Sequence, residues 1–89
     1  MKIKGTFVIR DIAGDTVIVP VGKSAQLYNG MITTTKSGAV LWKALESESD
    51  RESLIQSLLD CFDVDYETAA ADTDVFLNKL RSLGLIEEG

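Results

Sequence analysis

Residues 33–42 read TTTKSGAVLW, and this stretch marks the change from a β-rich half of the chain to a helical half. The threonines favour extended backbone because a β-branched side chain is stiff at χ1. Ser37 can act as the N-cap of a helix, since its hydroxyl can accept a hydrogen bond from a backbone N–H two or three residues further on. The apolar run that ends at Trp42 then continues that helix. The stretch therefore predicts a strand that leads directly into the first helix.

Three segments before this junction have the pattern of strands. Residues 3–12 alternate between two faces, and residues 16–21 alternate again after a tight connection in which Gly14 can adopt a positive φ. These two segments predict a hairpin. Pro20 closes the second strand because proline has no N–H for a ladder. A third and more polar β-like segment runs from about 27 to 35.

Three helices are predicted after the junction. Ser37 opens the first and Asp50 caps the second, in which leucines recur at helical spacing. The third runs from about 66 to 83, where Asp65 caps its start and Gly84 ends it. The order of elements predicts an α+β domain, with a three-stranded antiparallel sheet followed by three helices packed on one face of the sheet.

The composition limits the classes of function. The 89 residues predict a single domain over 1–89, and no apolar run is long enough for a membrane span. The start of the chain has no secretory signal, so the expected location is the cytoplasm, without a membrane partner. The chain has no histidine and one cysteine, Cys61, so we expect no catalytic site, metal site or cofactor. Cys61 itself is expected to be a small buried side chain.

The net charge of −5 lies entirely in residues 63–89, which hold seven acidic and two basic residues. The second and third helices are spaced like those of a helix-turn-helix domain, so a winged-helix DNA-binding regulator is an alternative function. A recognition helix that carries Asp72 and Asp74 would repel a phosphate backbone, however. We therefore expect no nucleic-acid partner.

The third β-like segment suggests a binding function. From Met31 to Thr35 it contains neither proline nor charge, although natural domains usually block a sheet edge with one of these. One interpretation is an ordinary solvated edge, and the other is a site where an extended peptide adds as a further strand. The same edge could pair with a second copy of the chain, so a homodimer also stays open.

The third helix offers one related observation. Its core stripe runs from Ala69 to Leu80, and Val75 lies well off that stripe, beside Asp72 and Lys79. Val75 either packs on a neighbouring helix or lines a groove beside the edge strand. Trp42 is interpreted as a core residue, while Arg10 either pairs with a carboxylate or stays solvated.

The chain resembles the PqqD family from Phe7 to Ile86. The segments that carry this resemblance are FVIRDIAGDTVIVPVG, KSGAVLWKALE, FDVD and FLNKLRSLGLI. Members of the family are small peptide-binding domains associated with ribosomally made, post-translationally modified peptides. They are also called precursor-peptide recognition elements.

The resemblance implies a winged-helix-like domain whose third strand pairs with the leader of a precursor peptide, which also rests against the third helix. The domain would present this peptide to a modifying enzyme, often a radical S-adenosylmethionine enzyme. Where the family commonly has a Leu-Asn pair before the tryptophan helix, this chain has Thr34 and Thr35, which leaves the recognised leader sequence open. The implied peptide-binding residues are Tyr28, Met31, Ile32, Thr33, Thr34, Thr35, Asp72, Val75 and Lys79.

Overall fold

The computed structural model describes residues 1–27 and 31–88. In chain order, the elements are β1 (Lys2–Ile3), β2 (Phe7–Ile12), β3 (Asp15–Pro20), α1 (Ser24–Leu27), β4 (Ile32–Thr34), α2 (Lys36–Leu45), α3 (Arg51–Cys61), α4 (Tyr66–Ser82) and β5 (Ile86–Glu87). The α+β prediction is confirmed, because a three-stranded antiparallel sheet of β2, β3 and β4 precedes the three longer helices in this part of the chain. The sequence did not predict α1 or β5, nor that β1 is a strand separate from β2.

The described residues form two compact units. The sheet unit comprises Gly5–Ala39, and the helical unit comprises Met1–Lys4 with Val40–Gly89. The boundary falls within α2. In neither unit do the described residues include a helix long and apolar enough to cross a bilayer.

The predicted first strand divides into β1 and β2 at Gly5. This glycine has a φ of 101°, in the left-handed region that other residues rarely adopt. A Cβ at this position would also lie 2.6 Å from the Ser24 hydroxyl, which accepts a hydrogen bond from the Thr6 N–H at 2.8 Å. The chain therefore bends at Gly5, and α1 anchors the start of β2.

A two-residue turn at Ala13 and Gly14 fixes the register of the sheet unit. Both residues have positive φ, 52° and 87°, as the two central positions of a type I′ turn require. This turn places Ile12 opposite Asp15. This pair sets the register of all the other β2–β3 pairs, and β4 pairs with the opposite side of β3.

Side chains of the three strands alternate between two faces of this sheet. On the isoleucine face, Ile9, Ile18 and Ile32 form one cross-strand row, and Asp11, Thr16 and Thr34 form the next. On the arginine face, Arg10, Val17 and Thr33 lie side by side. Ile18, at the centre of the isoleucine face, is 0% exposed. The isoleucine face is thus the more buried face.

The helical unit is built on α3 and α4, whose predicted caps are confirmed. The Asp50 carboxylate accepts from the Ser53 N–H in a capping box, and the Asp65 carboxylate accepts from the Thr68 N–H. Gly84, with a φ of 73°, follows the end of α4 as predicted. The buried apolar side chains of this unit are Leu41, Trp42, Leu45, Leu54, Ile55, Leu58, Ala69, Phe76, Leu77, Leu80 and Leu85.

Polar contacts between exposed side chains join α3 to α4. Arg51 donates two hydrogen bonds to the Asp74 carboxylate, at 2.8 and 3.0 Å, and the Tyr66 hydroxyl donates to Glu52 at 2.7 Å. The Arg51 hydrogen bonds lower the pKa of Asp74. The hydrogen bond to Glu52 raises the pKa of Tyr66. These contacts hold the two helices in a fixed register on their solvent-exposed side.

Two predictions about single residues in this half of the chain are wrong. Helix α2 begins at Lys36 rather than after Ser37, because Thr35 takes the capping role. The Thr35 hydroxyl accepts from the Gly38 N–H at 3.1 Å, and its carbonyl accepts from the Ala39 N–H at 3.0 Å. Cys61 is exposed rather than buried, because it is the last residue of α3.

Candidate functional site

The hydrogen-bond pattern of the sheet decides which backbone groups point to its edges. The Val21 N–H donates to the Thr6 carbonyl at 3.0 Å, in the same register as the β2–β3 ladder. Hydrogen-bonded and non-hydrogen-bonded pairs alternate along an antiparallel ladder. The even-numbered residues of β2 therefore bond to the odd-numbered residues of β3. The even-numbered residues of β3 are left to bond to β4.

This alternation makes Thr33 the residue of β4 that faces outward. Ile32 and Thr34 lie opposite Ile18 and Thr16, and they use their N–H and C=O groups on β3. Thr33 lies opposite Val17 in a non-hydrogen-bonded pair, so its N–H and C=O point away from the sheet. In the described part of the chain, β4 pairs with β3 alone. Thr33 therefore presents one donor and one acceptor at an open edge.

The residues that flank β4 limit the length of this edge. Thr35 follows the strand, but its carbonyl is already occupied by the Ala39 N–H. Met31 precedes the strand and is 61% exposed. Tyr28, another predicted contact residue, lies outside the described residues. The open edge is therefore short, and we define it as the β4 edge, residues 31–35.

Side chains along the β4 edge are uncharged and differ between the two faces of the sheet. Ile32 and Thr34 are half-buried on the isoleucine face, whereas Thr33 is exposed on the arginine face. An extended peptide placed here would meet an apolar and a hydroxyl side chain on one face. It would meet no ionised group from Met31 to Thr35, so nothing ionic in the segment blocks strand addition.

The opposite edge of the sheet is β2, and sequence reasoning did not single it out. By the same alternation, Ile9 and Asp11 direct their N–H and C=O groups away from β3. The Arg10 guanidinium, whose partner the sequence left open, donates to the Ile9 carbonyl at 3.1 Å. An arginine and an aspartate therefore stand along this edge, as is usual where an edge is protected from pairing. The adjacent Arg10-Asp11 pair in the sequence is the signal that could have identified it.

The predicted contact residues of α4 lie together on one exposed face of that helix. Asp72, Val75 and Lys79 are three and four residues apart, so they are neighbours on the helix surface. All three are exposed, and Val75 is 71% exposed, which excludes the interpretation that it packs on a neighbouring helix within the described structure. Val75 is therefore an exposed aliphatic side chain between an acidic and a basic one on the surface of α4.

The structure thus defines a class of domain. It is an α+β domain in which one edge of a small antiparallel sheet is open and uncharged while the other carries charged residues. The family model described as Coenzyme PQQ synthesis protein D (PqqD) matches residues 15–86, most of the chain. The chain belongs to the PqqD family, as its sequence resemblance predicts.

A solved structure supports the same fold. A structure described as TbiB1 in complex with the TbiA(beta) leader peptide is similar to this chain, with a TM-score of 0.71 and 22% sequence identity. The match covers 100% of this chain and 98% of that one. A search of curated proteins finds no match. The likeness to TbiB1 confirms the predicted fold.

Proposed function

We propose that this protein binds the leader of a ribosomally made precursor peptide as an added strand on the β4 edge. The observation that carries the proposal is the outward-facing N–H and C=O of Thr33 on an edge without charge. Membership of the PqqD family and the leader peptide in the TbiB1 complex support a leader as the ligand.

The exposed face of α4 formed by Asp72, Val75 and Lys79 is proposed as a second contact surface for the same peptide. Its support is separate from that of the β4 edge, since Val75 is exposed far beyond what a core position would show. Val75→Asp would place a desolvation cost on any apolar contact there while leaving the folded domain intact. If the peptide contacts this face, the variant should weaken binding.

The main test is isothermal titration of the full chain with the short peptide encoded beside it, combined with amide chemical shifts in ¹⁵N-labelled protein. We expect binding together with shifts concentrated at Met31–Thr35. If a peptide binds without changing the chemical shift of the Thr33 amide, the binding site lies elsewhere. The absence of any binding to the precursor or its leader would contradict the proposal.

The protein is further proposed to act without catalysis and to deliver the bound leader to a modifying enzyme in the cytoplasm, with a radical S-adenosylmethionine enzyme as the partner class that the family suggests. Pull-down of that enzyme with and without the precursor would separate delivery from simple docking. A homodimer formed through an open edge would appear in the same samples as a doubled mass by light scattering.

The alternative of a DNA-binding regulator is not favoured. The recognition position of a winged helix would fall on α4, which begins with Tyr66 and Glu67 and continues through Asp72 and Asp74. These carboxylates would repel phosphates. A gel shift at low salt, where electrostatic binding is strongest, should show no complex with duplex DNA.

A further inference from the structure

The strand rows of the sheet unit carry an inference about the sequence of the bound peptide, and this inference rests on the proposed function. A guest strand would join the rows that cross β2, β3 and β4. One of these rows consists of Ile9, Ile18 and Ile32, and the next consists of Asp11, Thr16 and Thr34. The two rows lie on the same face of the sheet but differ in chemistry.

The row that ends at Ile32 is apolar across the sheet. Ile18, its central member, is fully buried, and Ile9 and Ile32 on either side are half-buried. A guest side chain beside Ile32 would extend this row and bury further apolar surface. A branched aliphatic residue fits this position best.

The row that ends at Thr34 is polar. Thr16 is a buried residue whose hydroxyl donates to the Asp11 carboxylate at 3.3 Å, and the half-buried Thr34 continues the row at the edge. A guest side chain here would cover the Thr34 hydroxyl. It must therefore offer a hydrogen-bonding partner of its own, because a buried hydroxyl without a partner is costly.

The geometry of pairing strengthens both preferences. In an antiparallel guest, the residue opposite Thr33 exchanges main-chain hydrogen bonds with it, and the residues opposite Ile32 and Thr34 form the non-hydrogen-bonded pairs. Side chains approach most closely in such pairs, where the Cα atoms are about 4.5 Å apart. Selectivity therefore concentrates on the two rows of the isoleucine face.

We propose that the protein selects a three-residue antiparallel segment which reads, from N to C, a small hydrogen-bonding residue, any residue and a branched aliphatic residue. The first lies beside Thr34, the second opposite Thr33 and the third beside Ile32. The order follows because a strand antiparallel to β4 reaches Thr34 before Ile32. Thr34 is then the specificity-determining residue for the polar position.

The test is selection of the full chain against a phage-displayed library of random linear dodecapeptides, followed by titration of the best peptide and a copy whose polar residue is replaced by valine. We expect the motif in the stated order, with roughly tenfold weaker binding of the valine copy. Thr34→Val should remove this discrimination. Thr6→Val, at an exposed threonine outside the β4 edge, is the matched control and should leave this discrimination unchanged.

Three results would overturn the inference: a selected pool without the motif, the motif in reverse order, or discrimination that survives in Thr34→Val. The amide chemical shift of Thr33, measured with the selected peptides, distinguishes failure of the motif inference from failure of the proposed function. If peptides bind at the β4 edge without the motif, only the inference fails. If no selected peptide and no precursor leader changes the amide chemical shift of Thr33, the proposed function fails as well.

Discussion

Both edges of the three-stranded sheet carry outward-facing N–H and C=O groups, but only one edge has charged side chains beside them. On the β2 edge, the outward-facing positions are Ile9 and Asp11, and Arg10 covers the Ile9 carbonyl. On the β4 edge, Thr33 faces outward and no charge stands near it in the segment. An unpaired edge is an aggregation hazard, so proteins usually protect it. This contrast supports the proposal that the β4 edge binds a ligand.

The central strand supports both edges, so a change there should lower stability more than a change in either edge strand. Ile18 is 0% exposed and lies between Ile9 and Ile32. Ile18→Ala should lower the free energy of unfolding by about 2–5 kcal/mol, through lost burial and the cavity left behind. Urea unfolding would measure this loss. Ile9→Ala and Ile32→Ala, at half-buried positions, should each cost less, and an equal cost at all three would contradict the deeper burial of Ile18.

A proline on each edge tests which edge binds. Thr33→Pro removes the outward-facing donor of the β4 edge without taking a donor from the ladder, so it should weaken leader binding about tenfold or more. Asp11→Pro is the matched change on the β2 edge. It should leave the affinity for the leader within about twofold, because the proposed peptide site does not include the outward-facing N–H of Asp11.

Both proline variants need a thermal-melting control, because either can lose some stability. Ile32→Pro should differ from both, since the Ile32 N–H belongs to the β3–β4 ladder and its removal would open the sheet itself. Comparable affinity loss from Thr33→Pro and Asp11→Pro would remove the distinction between the edges.

The charged cover of the β2 edge can also be removed. Arg10→Ala leaves the Ile9 carbonyl without its side-chain donor, so that edge becomes available to a second copy. We expect weak self-association that rises with concentration in sedimentation equilibrium. Arg10→Lys, which keeps a charge at this position, should resemble the original chain. An unchanged mass for Arg10→Ala would show that Arg10 does not protect the edge.

The smallest effect concerns pH. Hydrogen bonds from Arg51, Ser53 and Thr68 lower the pKa of Asp74, Asp50 and Asp65, respectively, below the ordinary value of 3.8. Each of these carboxyl groups has a lower pKa in the folded than in the unfolded chain. Its ionised form therefore stabilises the fold fully when the pH lies above the unfolded pKa, and this stabilisation is lost as the pH falls through the folded pKa. The midpoint of thermal unfolding should therefore drop as the pH falls below about 4.

Asp74→Asn should flatten this pH profile, because it removes one of the three carboxylates. The β4 edge has no ionisable side chain, so a peptide without ionisable side chains should bind it equally from about pH 5 to pH 8. A titration midpoint in that range would point to a charged group within the binding site.

Local sequence signals predicted most of the fold. The alternation of side chains between two strand faces predicted the hairpin, and apolar residues at helical spacing predicted α3 and α4. Asp50 and Asp65 could be recognised as helix caps from their positions alone. The pairing of β1 with β5 escaped prediction because each strand has two residues and its partner is distant in sequence. Thr35 was missed as the cap of α2 because TTTKS offers several hydroxyls, and only the backbone shows which one precedes the first helical turn.

The candidate site was only partly predictable from the sequence. The uncharged stretch from Met31 to Thr35 predicted an open edge. The choice of Thr33 as the outward residue required the register of β3 with β4, which no local pattern contains. Helical periodicity placed Val75 off the core stripe, but only the structure shows that it is exposed. Where a peptide would contact it remains part of the proposal.

The turn at Ala13 and Gly14 has a practical consequence for work on this domain. Alanine pays a steric cost at a φ of 52°, a conformation that asparagine and glycine tolerate well. Ala13→Asn should therefore raise the free energy of unfolding by about 0.5–1 kcal/mol without moving a strand. Chemical denaturation would measure the gain. Such a stabilised parent would keep edge variants folded and so let affinity be measured apart from stability.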